Sequence, residues 1–118
     1  MKDLAPDVTR QRLLIEGHYK TPVNRDVVGA YLSGLAEALG LRTYGDPIIH
    51  APDGQGRPEN EGFDAFIPLI DSGISLYVWT QARFFAVVVF SCKRFDTDQA
   101  VTFTRRYFDT AEIVHQDF

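Results

Sequence analysis

Cysteine is almost missing from this chain: Cys92 is the only one among 118 residues. A lone thiol makes no intrachain disulfide and no multi-thiolate metal cluster, which excludes a disulfide-stapled scaffold and a zinc ribbon. Long apolar runs are missing too. The longest, Phe84 to Phe90, has seven residues, against about 20 for a helix that crosses a bilayer. Met1 to Arg12 holds no apolar stretch, so neither a signal peptide nor an anchor is expected there, and the cytoplasm is the expected compartment. Positive charge is in short supply, with 12 Lys and Arg against 16 Asp and Glu, a net charge of −4. That balance argues against nucleic acid or an anionic membrane as partner. The densest basic pair, Arg105-Arg106, reads as a solvated helix end. There is no phosphate-binding glycine loop, no His-Glu-x-x-His and no nucleophile elbow. His18, His50 and His115 are scattered without an acidic or thiol companion at ligand spacing, so no metal site is expected.

What is present fits one soluble domain over residues 1–118. Arg12 to Tyr19, with Leu13, Leu14 and Ile15, reads as a strand. Asn24 is placed to cap a helix running to about Leu39, whose Val28, Tyr31, Leu32, Leu35 and Leu39 share one face. Gly40 then supplies the residue that ends it. A second strand is expected from Leu41 to His50. Ala51 to Gly62 carries two prolines and three glycines, a density that marks a loop and a candidate lid over a substrate.

Phe63 to Ile70 reads as a third strand, and Pro68 within it points to an edge or a bulge. Asp71-Ser72-Gly73 is a tight turn. Ile74 to Thr80 and Phe84 to Cys92 form a hairpin across Gln81-Ala82-Arg83. Asp96 opens the last helix with Gln99 in capping-box position, and Ala100, Phe103, Tyr107 and Phe108 make its buried stripe. Ala111 to Val114 is a final short strand.

The order β-α-β-β-β-β-α-β predicts an α+β two-layer sandwich: a largely antiparallel sheet with both helices on one face. Phe84 to Cys92 is nevertheless apolar on both faces, with Phe84, Ala86, Val88 and Phe90 on one and Phe85, Val87 and Val89 on the other. Such a strand wants cover on both sides. A second copy of the chain is the simplest cover, and a homodimer is expected.

The chemistry-bearing residues cluster in Asp71-Ser72-Gly73-Ile74-Ser75-Leu76-Tyr77-Val78-Trp79-Thr80 and Val89-Phe90-Ser91-Cys92. These segments resemble the prokaryotic S-adenosylmethionine decarboxylases. That family has an acidic residue before a serine at a strand-connecting turn, a Thr-Trp or similar pair ending the first hairpin strand, and a Phe-Thr-Cys-like triplet ending the second. Trp79 follows Ser72 by seven residues and Cys92 follows it by 20, while Gly62 precedes it by ten. The resemblance runs from about Leu13 to Val114. It implies that Ser72 attacks the carbonyl of Asp71 and that cleavage leaves chains of 71 and 47 residues. The second would begin with a pyruvoyl group made from Ser72. Its ketone would take up a substrate amine and accept the electrons released by decarboxylation. Cys92 would return a proton to the substrate carbanion, and Trp79 would line the pocket. The implied substrate is S-adenosylmethionine, decarboxylated for spermidine synthesis, and no metal is needed.

The chain also departs from the family pattern. Tyr77 stands where the family has a processing His, Asp64 where it has a processing Ser, and Gln81 where a Glu contacts the substrate ribose. Asp71 replaces the more usual Glu, Gly73 replaces the His that follows the serine, and the segment before Gly62 looks longer. A phenol with a pKa near 10 is a poor base at neutral pH, although it donates a hydrogen bond. Two alternatives therefore stand beside the first reading: the same chemistry on another amino acid, and a non-processing homologue that binds a ligand or a partner. The Ser75-Tyr77-Trp79 face fits a pocket wall or an aromatic dimer contact equally.

Overall fold

The computed structural model describes residues 1–70 and 72–118. Six strands, β1 (Gln11–His18), β2 (Ile48–His50), β3 (Gly62–Leu69), β4 (Ser72–Trp79), β5 (Phe84–Ser91) and β6 (Ile113–Asp117), alternate with α1 (Arg25–Ala38) and α2 (Thr97–Phe108) in the predicted order. They form one sheet in the spatial order β2-β3-β4-β5-β1-β6. Every neighbouring pair is antiparallel.

Both helix starts are set by the residues the sequence singled out. The Asn24 side chain accepts from the Val27 amide at 2.9 Å, and Asp96 accepts from the Gln99 amide at 3.1 Å. The Gln99 side chain does not close the capping box back onto Asp96. It donates instead to the Ala38 carbonyl at 2.7 Å, tying the start of α2 to the end of α1. Val28, Tyr31, Leu32, Leu35 and Leu39 are all buried, and Gly40 (φ 69°) turns the chain away after α1.

The α2 stripe differs in part from expectation. Ala100, Val101, Thr104 and Phe108 are buried, while Phe103 and Tyr107 are only half-buried. Those two face α1: Tyr107 donates to the Val27 carbonyl at 2.6 Å, and a Cβ on Gly34 would lie 2.9 Å from the Phe103 ring. Gly34 is what lets the helices approach so closely.

Strand alternation sorts the sheet into two faces. Leu13, Ile15, Ala65, Ile67, Leu69, Ile74, Leu76, Val78, Phe85, Val87 and Val89 are buried in the core that includes the helix residues. The opposite face carries cross-strand rows. His50, Asp64, Tyr77, Ala86, Glu16 and Val114 form one, and Ile48, Phe66, Ser75, Val88, Leu14 and Gln116 the next. Neither helix covers it.

Three strand boundaries need correction. The expected strand from Leu41 to His50 is reduced to Ile48–His50, with Thr43 bridging Leu69 alone. Gly45 and Pro47 explain the break, since one weakens a strand and the other lacks an amide donor. The last strand starts at Ile113 rather than Ala111 and continues to Asp117. Ser72, expected inside a turn, is the first residue of β4, paired with Leu69 and Ser91. Pro68 tolerates its place in β3 because its nitrogen, on the same side as the carbonyl that accepts from Tyr44, faces past the end of β2 and away from β4, so no ladder donor is lost. The 51–61 segment is a loop containing two single 3-10 turns, Gly54–Gly56 and Pro58–Asn60.

Candidate active site

The start of β4 and the end of β5 meet because the hairpin register pairs Ser72 with Ser91. Alternation puts Ser72 on the helix side of the sheet, at its rim, in line with Ile74, Leu76 and Val78. Its hydroxyl donates to Ser91 Oγ at 3.1 Å and accepts from the Cys92 amide at 3.3 Å. Ser91 is fully buried, and it donates in turn to the Lys93 carbonyl at 2.5 Å and accepts from the Lys93 amide at 2.9 Å. The Ser72 hydroxyl is thus held at a fixed place by a chain of hydrogen bonds through a second serine.

In the sequence Ser91 stands within the Phe90-Ser91-Cys92 triplet with nothing beyond its spacing, one residue before the cysteine, to mark it as a partner of Ser72. Its contact with Ser72 depends on hairpin register, which composition does not reveal.

Cys92 is a free, exposed thiol. Among the described residues it shares a hollow of about 200 Å³ with Leu41, Arg42, Ile70 and Lys93. Ser72 borders a different depression of about 310 Å³, on the uncovered face, with Phe66, Gly73, Ser75, Val88 and Phe90. The two residues touch through the Cys92 amide, and their hollows are separate. A Cβ on Gly73 would come within 2.5 Å of the Phe66 ring, so only glycine lets that ring lie across the start of β4. Asp71 lies outside the described residues.

The other predicted residues gather elsewhere. Tyr77 is five residues beyond Ser72, about 17 Å along an extended strand, and on the opposite face. Asp64 pairs directly with it across β3 and β4, with His50 next in the same row. Trp79 sits at the far end of β4, its ring 5.4 Å from that of Phe84, which lies 5.4 Å from His18. Gln81 is exposed in the hairpin turn that follows. Ser72, Ser91 and Cys92 therefore form one cluster, and Asp64, Tyr77, Trp79 and Gln81 a second at the other end of β4. Among the described residues no group of three or more His, Cys, Asp or Glu side chains is placed to hold a metal ion.

The family model for S-adenosylmethionine decarboxylase matches residues 19–118, most of the chain. The chain belongs to the S-adenosylmethionine decarboxylase family. Among solved structures, the adenosylmethionine decarboxylase from Aquifex aeolicus superposes with a TM-score of 0.67 at 15% identity, covering 94% of this chain and 89% of that one. At that identity the likeness establishes the fold. No curated protein sequence matches. The family is one of decarboxylases that in general depend on a pyruvoyl group, and the matched segment contains both clusters. No helix among the described residues is long and apolar enough to cross a membrane.

Proposed function

We propose that this chain is a self-processing decarboxylase acting on S-adenosylmethionine in polyamine (spermidine) biosynthesis. The observation that carries the reading is the Ser72 hydroxyl, held at the first position of β4 by Ser91 and the Cys92 amide. In the proposed maturation, Ser72 Oγ attacks the Asp71 carbonyl carbon and an ester replaces the amide. β-Elimination breaks the Cβ–O bond and releases the Asp71 carboxylate, and hydrolysis of the remaining dehydroalanine expels ammonia. The residues present suit a pyruvoyl group at position 72. Gly73 to Trp79 stay paired to β3 on one side and β5 on the other, so the new terminus remains anchored after the cut. Such a group supplies a ketone that takes up the substrate amine and a sink for the electrons of decarboxylation.

Cys92 serves as the proton donor to the substrate carbon, from a hollow whose walls include Arg42 and Lys93. Those two cations suit a substrate that arrives with a carboxylate. In this reading Asp64, Tyr77 and Trp79 on the uncovered face, and Gln81 in the turn beyond it, meet the substrate from the second copy of the dimer. Within one chain they lie about 17 Å or more from Ser72. Because Tyr77 lies on the face opposite Ser72, its help to the reaction comes through a hydrogen bond to substrate rather than to the serine. Gln81 brings no charge to a ribose diol. This favours, as a second reading, the same chemistry on another amino acid.

The working unit in this proposal is a homodimer in the cytoplasm. Phe66, Tyr77 and Phe90 are each about two-fifths exposed on the uncovered face, at 39%, 38% and 40%. An aromatic patch of that kind is a natural contact for a second sheet packed about 10 Å away.

The test is electrophoresis of the purified chain with Ser72→Ala as control. Two fragments of 71 and 47 residues in the wild type, and one band in the variant, are expected. A wild type that stays a single 13.3 kDa species after prolonged incubation overturns the catalytic reading and leaves a ligand- or partner-binding homologue.

A further inference from the structure

A separate concentration of positive charge lies where the start of β1 meets the chain beyond β5. Arg10, Arg12 and Arg94 converge with Gln11, Asp117 and Phe118 on a hollow of about 250 Å³. Three of the chain's 12 basic residues thus line one cavity in a protein of net charge −4.

Two of the three guanidiniums, those of Arg10 and Arg12, are held by contacts of their own. Arg10 pairs with Asp3 and also donates to the carbonyls of Ala5 at 3.1 Å and Val8 at 3.2 Å. Gln11 donates to the Phe95 carbonyl at 2.8 Å and accepts from the Phe95 amide at 2.9 Å. That pair of hydrogen bonds holds Phe95 against β1, and Arg94 before it lines the same hollow as Arg12. The Arg12 guanidinium lies over the Phe118 ring, 5.9 Å from its centroid.

Among the described residues Asp117 is the one carboxylate side chain lining the hollow, against three guanidiniums, and it forms no salt bridge with them; the closed pair is Arg10–Asp3. The Arg12 Nε is buried with no hydrogen-bond partner. That nitrogen is sealed from solvent, so a ligand in the hollow meets the outer nitrogens of the guanidinium instead.

We propose that this hollow binds a small, multiply charged oxyanion, gripped by Arg12 and Arg94 with Arg10 at the rim. The planar guanidinium fork matches phosphate and carboxylate oxygens in pairs. A volume of about 250 Å³ is below the range that encloses a drug-sized ligand, so the anion is small rather than a nucleotide. The site is distinct from the cleavage point: Arg12 reaches Gly73 only across Phe90, two strand spacings or about 10 Å away. It stands whether or not the chain processes itself.

The test is calorimetric titration of the full chain, in a low-salt buffer free of phosphate, with inorganic phosphate in one arm and succinate in the other. Sodium chloride at matched ionic strength is the control. Saturable binding of one phosphate per chain is expected, weakened about tenfold or more by Arg12→Gln and by Arg94→Gln, and unchanged by Arg57→Gln. Arg94 is exposed, so its variant keeps the fold and remains informative if Arg12→Gln does not. Binding of succinate in preference to phosphate assigns the site to carboxylates. Heats no larger than the chloride control in both arms, or affinity unmoved by Arg94→Gln, overturn the proposal.

Discussion

The two faces of the sheet are built from alternate residues of the same strands, yet they have opposite characters. On the covered face Leu13, Ile15, Leu76, Phe85 and Val87 are wholly buried, and a deep polar pair, Tyr31 and Thr104, is hydrogen-bonded at 2.8 Å. On the uncovered face aliphatic side chains such as Leu14, Val88 and Ile48 are joined by partly wet aromatic ones, Phe66, Tyr77 and Phe90. The first face is closed within one chain, apart from the Thr110 hydroxyl, which is buried without a partner. The second has its hydrophobic side chains in place before anything covers them, which is the pattern of a surface held for another molecule.

The largest effect expected from breaking this contrast is at Leu76. Leu76→Ala removes a side chain with no room to relax and should cost about 2–5 kcal/mol in urea unfolding. Its neighbour Tyr77 points the other way, and a dimer-face change should act on association instead. Phe90→Lys is expected to turn a dimer into a monomer by light scattering at micromolar concentration while the monomer stays folded. A wild type that is already monomeric contradicts the dimer, and a Phe90→Lys protein that unfolds contradicts the division between faces.

A smaller effect is expected at the closed polar pair. Thr104 donates to the Ala100 carbonyl, so Tyr31 is the donor to Thr104, and Tyr31→Phe should cost about 1 kcal/mol. Burial raises the Tyr31 phenol above its ordinary value of 10.0, against the pull of the Thr104 hydrogen bond. The folded state then holds this proton more tightly than the unfolded chain does. Its contribution is whole below about pH 10 and falls as pH rises above that value. Alkaline unfolding should therefore be shallower in Tyr31→Phe than in the wild type. Equal slopes would show that another group governs the alkaline limb.

Much of the scaffold was legible in the residues themselves. Asn24 and Asp96 announced both helix starts, and the three-and-four spacing from Val28 to Leu39 gave the buried face of α1. Both are local signals, set within one or two turns. What escaped depended on pairing between distant segments. Leu41 to Thr43 carries strand-forming residues but finds only one bridge to Leu69. Ser72 looked like a turn residue because its neighbours are turn formers, yet Leu69 and Ser91 draw it into the sheet. The same register divides the candidate site. Sequence spacing from Ser72 located Cys92 beside it, and could not foresee that Tyr77 faces away with Asp64 or that Ser91 holds the serine.

The fate of Ser72 decides whether this chain is a decarboxylase, and the mass of the fragment that begins there tests it directly. If the serine has become a pyruvoyl group, the 72–118 fragment is lighter by one ammonia than a peptide starting with serine, and it resists Edman degradation until reductive amination. A fragment of full serine mass with a free amine would mean simple proteolysis in that connection, and would contradict the proposed chemistry.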